Sequence, residues 1–199
     1  MKMSVVSEEF KKRYLSDNEH PMQFTARAIV FDGPEHYHNE INNPELNIDE
    51  NCILIIRGCG PIGYPGAAEV VNMQPPDHLL KKGISALPCL GDGRQSGTSE
   101  SASILNVSPE AAAGGKLSII QNDDPIKVDL IKKRVDVMIE QSIIDKRMQE
   151  IEFKFPPNQT PWQEISRDYV GQLSDGACLN TKEEYFNVSK TKGLPRDNH

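Results

Sequence analysis

Long apolar runs are missing from this 199-residue chain, and aromatic residues make up only 6% of it. No run approaches the ~20 apolar residues that a membrane-spanning helix needs, so no transmembrane segment is predicted. The start, MKMSVVSEEFKKRYL, lacks the apolar core of a signal peptide, and we therefore expect a cytoplasmic protein. An excess of basic over acidic residues is also missing, since 22 Lys and Arg stand against 29 Asp and Glu. The net charge of -7 argues against nucleic acid or an anionic membrane as the main partner.

Cysteine motifs are lacking as well. The four cysteines, Cys52, Cys59, Cys89 and Cys178, show no CxxC spacing and no accompanying histidine pair. Neither a zinc site nor a disulfide scaffold is therefore expected. Cys52 and Cys89 lie in apolar, strand-like runs and are predicted to be core residues. Cys59 differs because it lies among glycines, next to a candidate site.

Glycine, in contrast, is concentrated in two clusters. The first, residues 58–66, leads into a short helix-like piece that carries Glu69. The second, GDGRQSGTS at residues 91–99, follows an apolar run that is predicted to be a buried strand. A strand that ends in small residues, backbone N–H groups and hydroxyls is typical of an anion-binding turn, although many such turns are only tight turns.

The neighbours of the second cluster favour the anion-binding interpretation. Ser96, Thr98 and Ser99 alternate with small residues, and Arg94 places a permanent cation beside them. Guanidinium and hydroxyl groups together can hold a carboxylate or a phosphate. Glu69 stands alone in an apolar, glycine-rich setting, where a carboxylate is either exposed or a ligand.

The rest of the pattern predicts a mixture of short helices and strands in one domain. Residues 1–22 are interpreted as an N-terminal helix and linker, and residues 23–199 as the domain itself. The pattern by itself supports α+β or α/β. Helices are predicted at 7–15, 35–41, 77–82, 108–113, 142–151 and 162–172, and strands at 24–31, 52–56, 84–90, 117–121, 126–130 and 134–139.

Several runs together resemble a known family. GPIGYPGAAEVVNM, GDGRQSGTS, SILNVSPEAAAGG and the ending TKGLPRDNH are similar to the C-terminal domain of the dihydroxy-acid dehydratase and phosphogluconate dehydratase family. GRQSGTS resembles the sugar-acid branch, the arabinonate and xylonate dehydratases, where the branched-chain amino-acid enzymes have a GRFSGGT-like form. The resemblance covers nearly the whole chain. It implies an α/β fold of the swivelling β/β/α type, with a barrel-like sheet and flanking helices.

The resemblance also implies a reaction. Family members are hydro-lyases that remove water from a 2,3-dihydroxy acid to give a 2-keto-3-deoxy acid, with an iron–sulfur cluster and Mg²⁺. By motif, Ser96 matches the serine that acts as an alkoxide base at C2, and Glu69 matches a carboxylate ligand of Mg²⁺. Arg94, Thr98 and Ser99 would bind the sugar-acid substrate. The complete enzyme is expected to be a homo-oligomer.

Two departures from the family pattern bear on activity. Glu100 stands where the sugar-acid branch has glycine, and its negative charge raises the cost of forming an alkoxide nearby. None of the four cysteines lies in a cluster motif. In the family, the cluster cysteines and most metal ligands belong to a long N-terminal domain. The chain alone is therefore expected to bind no cluster and to be inactive.

Three interpretations stay open at this point. The chain is a part of a sugar-acid dehydratase that acts only when completed by the cluster-bearing domain. Alternatively, it is a small subunit that docks with a separate iron–sulfur large subunit. The third interpretation is a non-catalytic sugar-acid binding module, which Glu100 favours.

Overall fold

One mixed sheet of six strands forms the centre of the protein. We describe it from a computed structural model, which covers residues 6–65, 73–94, 103–154 and 156–180. The strand order is β4-β3-β2-β1-β5-β6, and the sheet curls into a half-barrel with flanking helices. The strands are β1 Gln23–Asp32, β2 Cys52–Arg57, β3 Cys89–Gly91, β4 Ser103–Ile104, β5 Pro125–Asp129 and β6 Arg134–Val137. This architecture confirms the α/β fold class.

Helices cover the sheet and its ends. They are α1 Glu8–Tyr14, α2 Gly33–Glu40, α3 Asp77–Leu80, α4 Gln141–Glu150 and α5 Pro161–Tyr169. Short 3₁₀ helices occur at Pro44–Leu46, Ala111–Ala113, Lys116–Ile119 and Leu173–Asp175. Within the described ranges, no helix has the length and apolar composition that crossing a membrane requires.

The sheet contains both parallel and antiparallel strand pairs. β1 to β4 run parallel, whereas β5 and β6 are antiparallel additions at the β1 edge. The sequence of β2, CILIIR, is apolar at five successive positions and buried at all of them. A strand that is apolar without alternation is typical of a parallel sheet covered on both faces.

Each face of the sheet has its own core. On one face, Leu54 and Ile56 pack with Tyr37 of α2 and Leu79 of α3. On the other face, Ile53 and Ile55 belong to a cluster with residues of β5 and of the two 3₁₀ helices that follow β4. Successive strand side chains point to opposite faces, so β2 contributes to both cores.

Helix α1 is attached to the sheet by aromatic packing. Its Phe10 and Tyr14 rings lie 6.4 Å and 5.6 Å from the ring of Phe24 on β1. The Tyr14 hydroxyl donates to the Glu50 carbonyl at 2.6 Å. The first helix therefore packs on the residues assigned to the domain, and the division between residues 22 and 23 stays a prediction.

Most predicted elements are confirmed, but the predicted strand at 117–121 is wrong. Residues Lys116–Ile119 form a 3₁₀ helix instead. The side chain of Arg57 explains the difference, because its Nη1 donates to the carbonyls of Leu117, Ser118 and Ile120 at 3.2, 2.7 and 2.8 Å. Three carbonyls that converge on one guanidinium cannot all take part in a strand ladder.

Three further boundaries differ from the sequence-based prediction by three residues or more. The predicted strand at 84–90 is ordered as a strand only at Cys89–Gly91, and Pro88 before it has no N–H to donate. The predicted helix at 108–113 begins only at Ala111, because Glu110 has extended backbone. The last helix ends at Tyr169 instead of residue 172, since Val170 pairs with Leu179 in a β-bridge.

Arg147 is predicted to anchor α4. It makes a two-bond ion pair with Asp124, at 2.5 and 3.2 Å, and also donates to the Ile119 carbonyl. Asp124 is only 6% exposed, so the change Arg147→Met would leave a buried carboxylate without its cation. We expect the free energy of unfolding to fall by about 3 kcal/mol in urea titrations.

Lys146 provides the matched control. Its side chain is 70% exposed and lies 3.9 Å from Glu150, so Lys146→Met should change the free energy of unfolding by less than about 1 kcal/mol. Equal effects of the two substitutions would contradict the assigned role of Arg147.

Candidate active site

Two glycine-rich loops meet at one edge of the sheet. The first begins directly after β2, at Gly58, and the second continues from β3 through Asp92 and Gly93. β2 and β3 are parallel neighbours, with Ile56 opposite Gly91, so both loops leave the sheet at the same edge. This edge, at the carboxyl ends of parallel strands, is where open α/β sheets bind their ligands.

Asp92 joins the two loops. Its buried carboxylate accepts the backbone N–H groups of Gly58, Cys59 and Ala111 at 3.0, 2.9 and 2.9 Å. Burial raises the pKa of Asp92; the three N–H groups oppose this rise, and the neighbouring Glu110 carboxylate adds to it. Removal of the side-chain oxygens would leave three buried donors without a partner, so Asp92 fixes the relative position of the loops.

Glu110 holds the first loop by hydrogen bonds. Its fully buried carboxylate accepts the N–H groups of Ile62 and Gly63, both at 2.9 Å. The side chain of Gln172 donates to the same carboxylate at 3.0 Å and accepts the backbone N–H of Glu110 at 2.9 Å. A Cβ at Gly60 would lie 2.5 Å from Glu110 Oε2, so a residue without a side chain is required at that position.

A cavity of about 440 Å³ opens between these loops and α5. Its volume is that of a small-molecule site. Polar groups from several parts of the chain lie in its wall together with glycine backbone. Its polar lining includes Tyr64, Asp92, Arg94, Asn106 and Ser166.

Arg94 is the one predicted site residue that the structure describes. It is exposed and lines this cavity. The sequence pattern predicted a cation at this position, beside the hydroxyl-rich turn. Glu69, Ser96, Thr98 and Ser99 lie outside the described residues, as does Glu100. Their predicted roles stay predictions.

The described lining does not by itself provide a magnesium site. Asp92 is the only carboxylate among the described lining residues, and backbone N–H groups occupy both of its oxygens. Mg²⁺ requires several oxygen ligands with free lone pairs. Across the described part of the chain, no group of three or more His, Cys, Asp and Glu side chains is placed to hold a metal ion.

Cys59 lies in the cavity wall, and its thiol is buried. Burial raises the pKa of Cys59 well above its ordinary range, and the neighbouring Asp92 carboxylate raises it further. Thiolates are the reactive form of cysteine, so a thiol with a raised pKa is a poor nucleophile and a poor metal ligand. The predicted core positions of Cys52 and Cys89 are confirmed, as both are buried.

Comparison with known proteins shows the family. Residues 10–177 match the profile of the dihydroxy-acid/6-phosphogluconate dehydratase C-terminal domain. This chain belongs to the dihydroxy-acid/6-phosphogluconate dehydratase family. The resemblance inferred from the sequence motifs is thereby confirmed.

Sugar-acid dehydratases are among the similar members of the family. The chain is 55% identical over 199 residues to the D-xylonate dehydratase of Caulobacter vibrioides, covering 100% of this chain and 33% of that enzyme. It is 42% identical over 180 residues to the L-arabinonate dehydratase of Rhizobium leguminosarum, covering 90% of this chain and 30% of that enzyme. The L-arabonate dehydratase of Azospirillum brasilense is 37% identical over 165 residues. The chain thus spans about a third of the length of these relatives.

Sequence reasoning missed the two buried carboxylates. Asp92 was visible between two glycines after an apolar run, and Glu110 stood before three alanines, but neither was assigned a role. The available signal was an acidic residue in an otherwise apolar or small-residue setting, the same signal that singled out Glu69. The backbone N–H groups that bond to each carboxylate come from distant parts of the chain. No local sequence pattern identifies these partners.

Substitution of Asp92 by asparagine should loosen the loops. One carboxylate oxygen would become an NH₂ group that faces backbone N–H donors, so at least one buried donor loses its partner. We expect Asp92→Asn to lower the free energy of unfolding by about 2–3 kcal/mol, measured by urea titration. The control Asp77→Asn, at an exposed position, should stay within about 0.5 kcal/mol of the wild type. An Asp92→Asn protein as stable as the control would refute the joining role.

Thiol labelling tests the assignment of the cysteines. Burial raises the pKa of Cys52 to about 11, and Cys59 and Cys89 are also buried, whereas Cys178 is exposed. Iodoacetamide at about pH 8 should therefore modify the native chain at Cys178 alone. Mass spectrometry should show no adduct on native Cys178→Ser protein and complete modification after unfolding. Rapid labelling of native Cys59 would show that the first loop opens to solvent.

Proposed function

We propose that the chain is the part of a sugar-acid dehydratase that carries the base, and that it acts on a 2,3-dihydroxy sugar acid to give a 2-keto-3-deoxy acid. The proposal rests on the hydrogen bonds that the Asp92 carboxylate accepts, because they hold the two glycine-rich loops at one cavity. Ser96 follows the cavity residue Arg94 by two positions, and Glu69 follows Pro65 of the first loop by four. Relatives named as D-xylonate and L-arabinonate dehydratases support the substrate class.

Ser96 takes the proton from C2 in this proposal. A serine hydroxyl is a poor base at neutral pH, so its alkoxide form requires positive charge and N–H dipoles nearby. Arg94 supplies a permanent cation at the cavity, and Gly93 and Gly97 allow close approach of the backbone. Thr98 and Ser99 would bind the substrate carboxylate or its hydroxyls.

Cofactors follow from the same proposal. Mg²⁺ held through Glu69 would stabilise the negative charge that develops on the carboxylate side of the substrate. The described lining offers no competing carboxylate, because the oxygens of Asp92 are already occupied. An iron–sulfur cluster would assist departure of the C3 hydroxyl, and its ligands are expected in the remaining two-thirds of the enzyme.

The chain is accordingly proposed to work only together with that remainder, either in one polypeptide or as a separate large subunit. Alone it should be inactive. The complete enzyme is proposed to be a cytoplasmic homo-oligomer. Glu100 favours a second candidate, a non-catalytic sugar-acid binding module, because its charge would oppose alkoxide formation at Ser96.

A full-length hybrid tests the proposal. The matched third of the Caulobacter D-xylonate dehydratase is replaced by this chain, and formation of 2-keto-3-deoxy acid from D-xylonate is measured. We expect Ser96→Ala to reduce kcat by about 10²–10⁴-fold, because a general base is removed. Ser101→Ala, the same change five residues further along the chain, should have little effect.

The outcomes separate the two candidates. An active hybrid that keeps its rate after Ser96→Ala contradicts the assigned base. An inactive hybrid, combined with calorimetric binding of D-xylonate to the 199-residue chain, supports the binding module. Glu69→Gln in an active hybrid should raise the Mg²⁺ concentration needed for half-maximal rate.

A further inference from the structure

Helix α5 presents two different faces. Gln163, Ser166 and Arg167 are half-buried and point toward the protein, whereas the rest of the helix is exposed. Arg167 Nε donates to the carbonyl of Ile62 at 2.8 Å, and Ser166 lines the cavity. One face of α5 is therefore a wall of the candidate active site.

Beside this face lies an exposed apolar stripe, formed by Trp162, Ile165 and Tyr169. The side chains are 78%, 45% and 45% exposed, and no residue of α5 is buried. Their spacing of three and four residues places them in one line along the helix. Leu179, which pairs with Val170 directly after α5, is also 54% exposed. Single exposed apolar residues are ordinary, but an aligned row that includes tryptophan marks an interaction surface.

The lengths of the relatives indicate what covers this stripe. The chain corresponds to 33% and 30% of the two sugar-acid dehydratases described above, and it matches the C-terminal domain of the family. About two-thirds of such an enzyme therefore has to meet this domain somewhere. Small-molecule sites occur preferentially at domain interfaces. Because α5 forms one wall of the cavity and also carries the stripe, the stripe is well placed for such an interface.

We propose that the apolar stripe of α5 is the surface on which the remaining two-thirds of the dehydratase docks, beside the mouth of the cavity. The assignment rests on the proposed function insofar as that function requires a completed enzyme. Glu164 and Asp168 lie next to the stripe and are exposed, so the docking surface is apolar with an acidic border. The complementary surface is apolar with basic residues at its border.

Hydrogen exchange in the full-length hybrid tests the docking surface. Exchange of the α5 amides is compared between the 199-residue chain alone and the hybrid with the Caulobacter enzyme, by mass spectrometry of peptides covering residues 161–170. Docking should slow exchange of these amides by about tenfold or more in the hybrid.

Two isoleucines provide a matched pair of variants. Ile165 lies in the stripe, and Ile143 lies on α4 with a similar exposure of 41%. Ile165→Glu should abolish the added protection of α5, and Ile143→Glu should preserve it. Both substitutions are at exposed positions, so the 199-residue chain should keep its thermal midpoint in each case. Protection that survives both Ile165→Glu and Trp162→Glu would overturn the proposal.

The readout is independent of turnover. A hybrid that protects α5 but does not dehydrate D-xylonate supports the docking surface and refutes the proposed function. A hybrid that turns over D-xylonate with α5 unprotected does the reverse.

Other occupants of the stripe give different results in the 199-residue chain. Trp162 is the only tryptophan, so acrylamide quenching of its fluorescence reports the stripe directly. We expect strong quenching, unchanged by removal of residues 181–199. An increase on that removal would show that the chain's own C-terminal residues cover the stripe. A dimer in sedimentation that Trp162→Glu dissociates would assign the stripe to a second copy, and either result overturns the proposal.

Discussion

The three hydrogen bonds to the Asp92 carboxylate hold the candidate site together. They connect the ends of β2 and β3 with the 3₁₀ helix that begins at Ala111, so that three separate parts of the chain share one buried acceptor. Each N–H group would otherwise be buried without a partner, which is costly. Burial of a carboxylate is itself unfavourable, and the three N–H donors offset part of that cost.

Glu110 and Gln172 extend this arrangement to α5. Glu110 accepts N–H groups from the first loop, and Gln172, just beyond α5, bonds both the carboxylate and the backbone of Glu110. A displacement of α5 would therefore shift Glu110 and, through it, the first loop, which precedes Glu69 in the chain. The same helix lines the cavity and carries the apolar stripe, so a partner seated on α5 would act on the geometry of the site.

The sequence predicted the parts of the fold whose signal is local. β2 was evident from five consecutive apolar residues, and α4 from its polar helical pattern between turns. The segment at 117–121 was mistaken for a strand because LSIIQ is apolar enough for one, whereas its conformation depends on Arg57, some sixty residues earlier in the chain. For the site, the motifs singled out the two loops and Arg94, which lines the cavity, and the role of Arg94 in substrate binding stays a prediction. The carboxylates that fix the loops were missed because their partners come from distant residues.

A division of roles follows from how the carboxylates are used. Asp92 and Glu110 have their oxygens engaged by backbone and amide donors, so their role is to position the loops. Among the described residues of the cavity wall, the remaining polar groups are neutral or cationic: Tyr64, Arg94, Asn106 and Ser166. Such a wall suits an anionic, hydroxyl-bearing substrate, since it offers hydrogen bonds and positive charge. In the proposed function, acidic metal ligands would come from Glu69 and from the remaining part of the enzyme. The two buried carboxylates thus fix the described parts of both loops at the cavity.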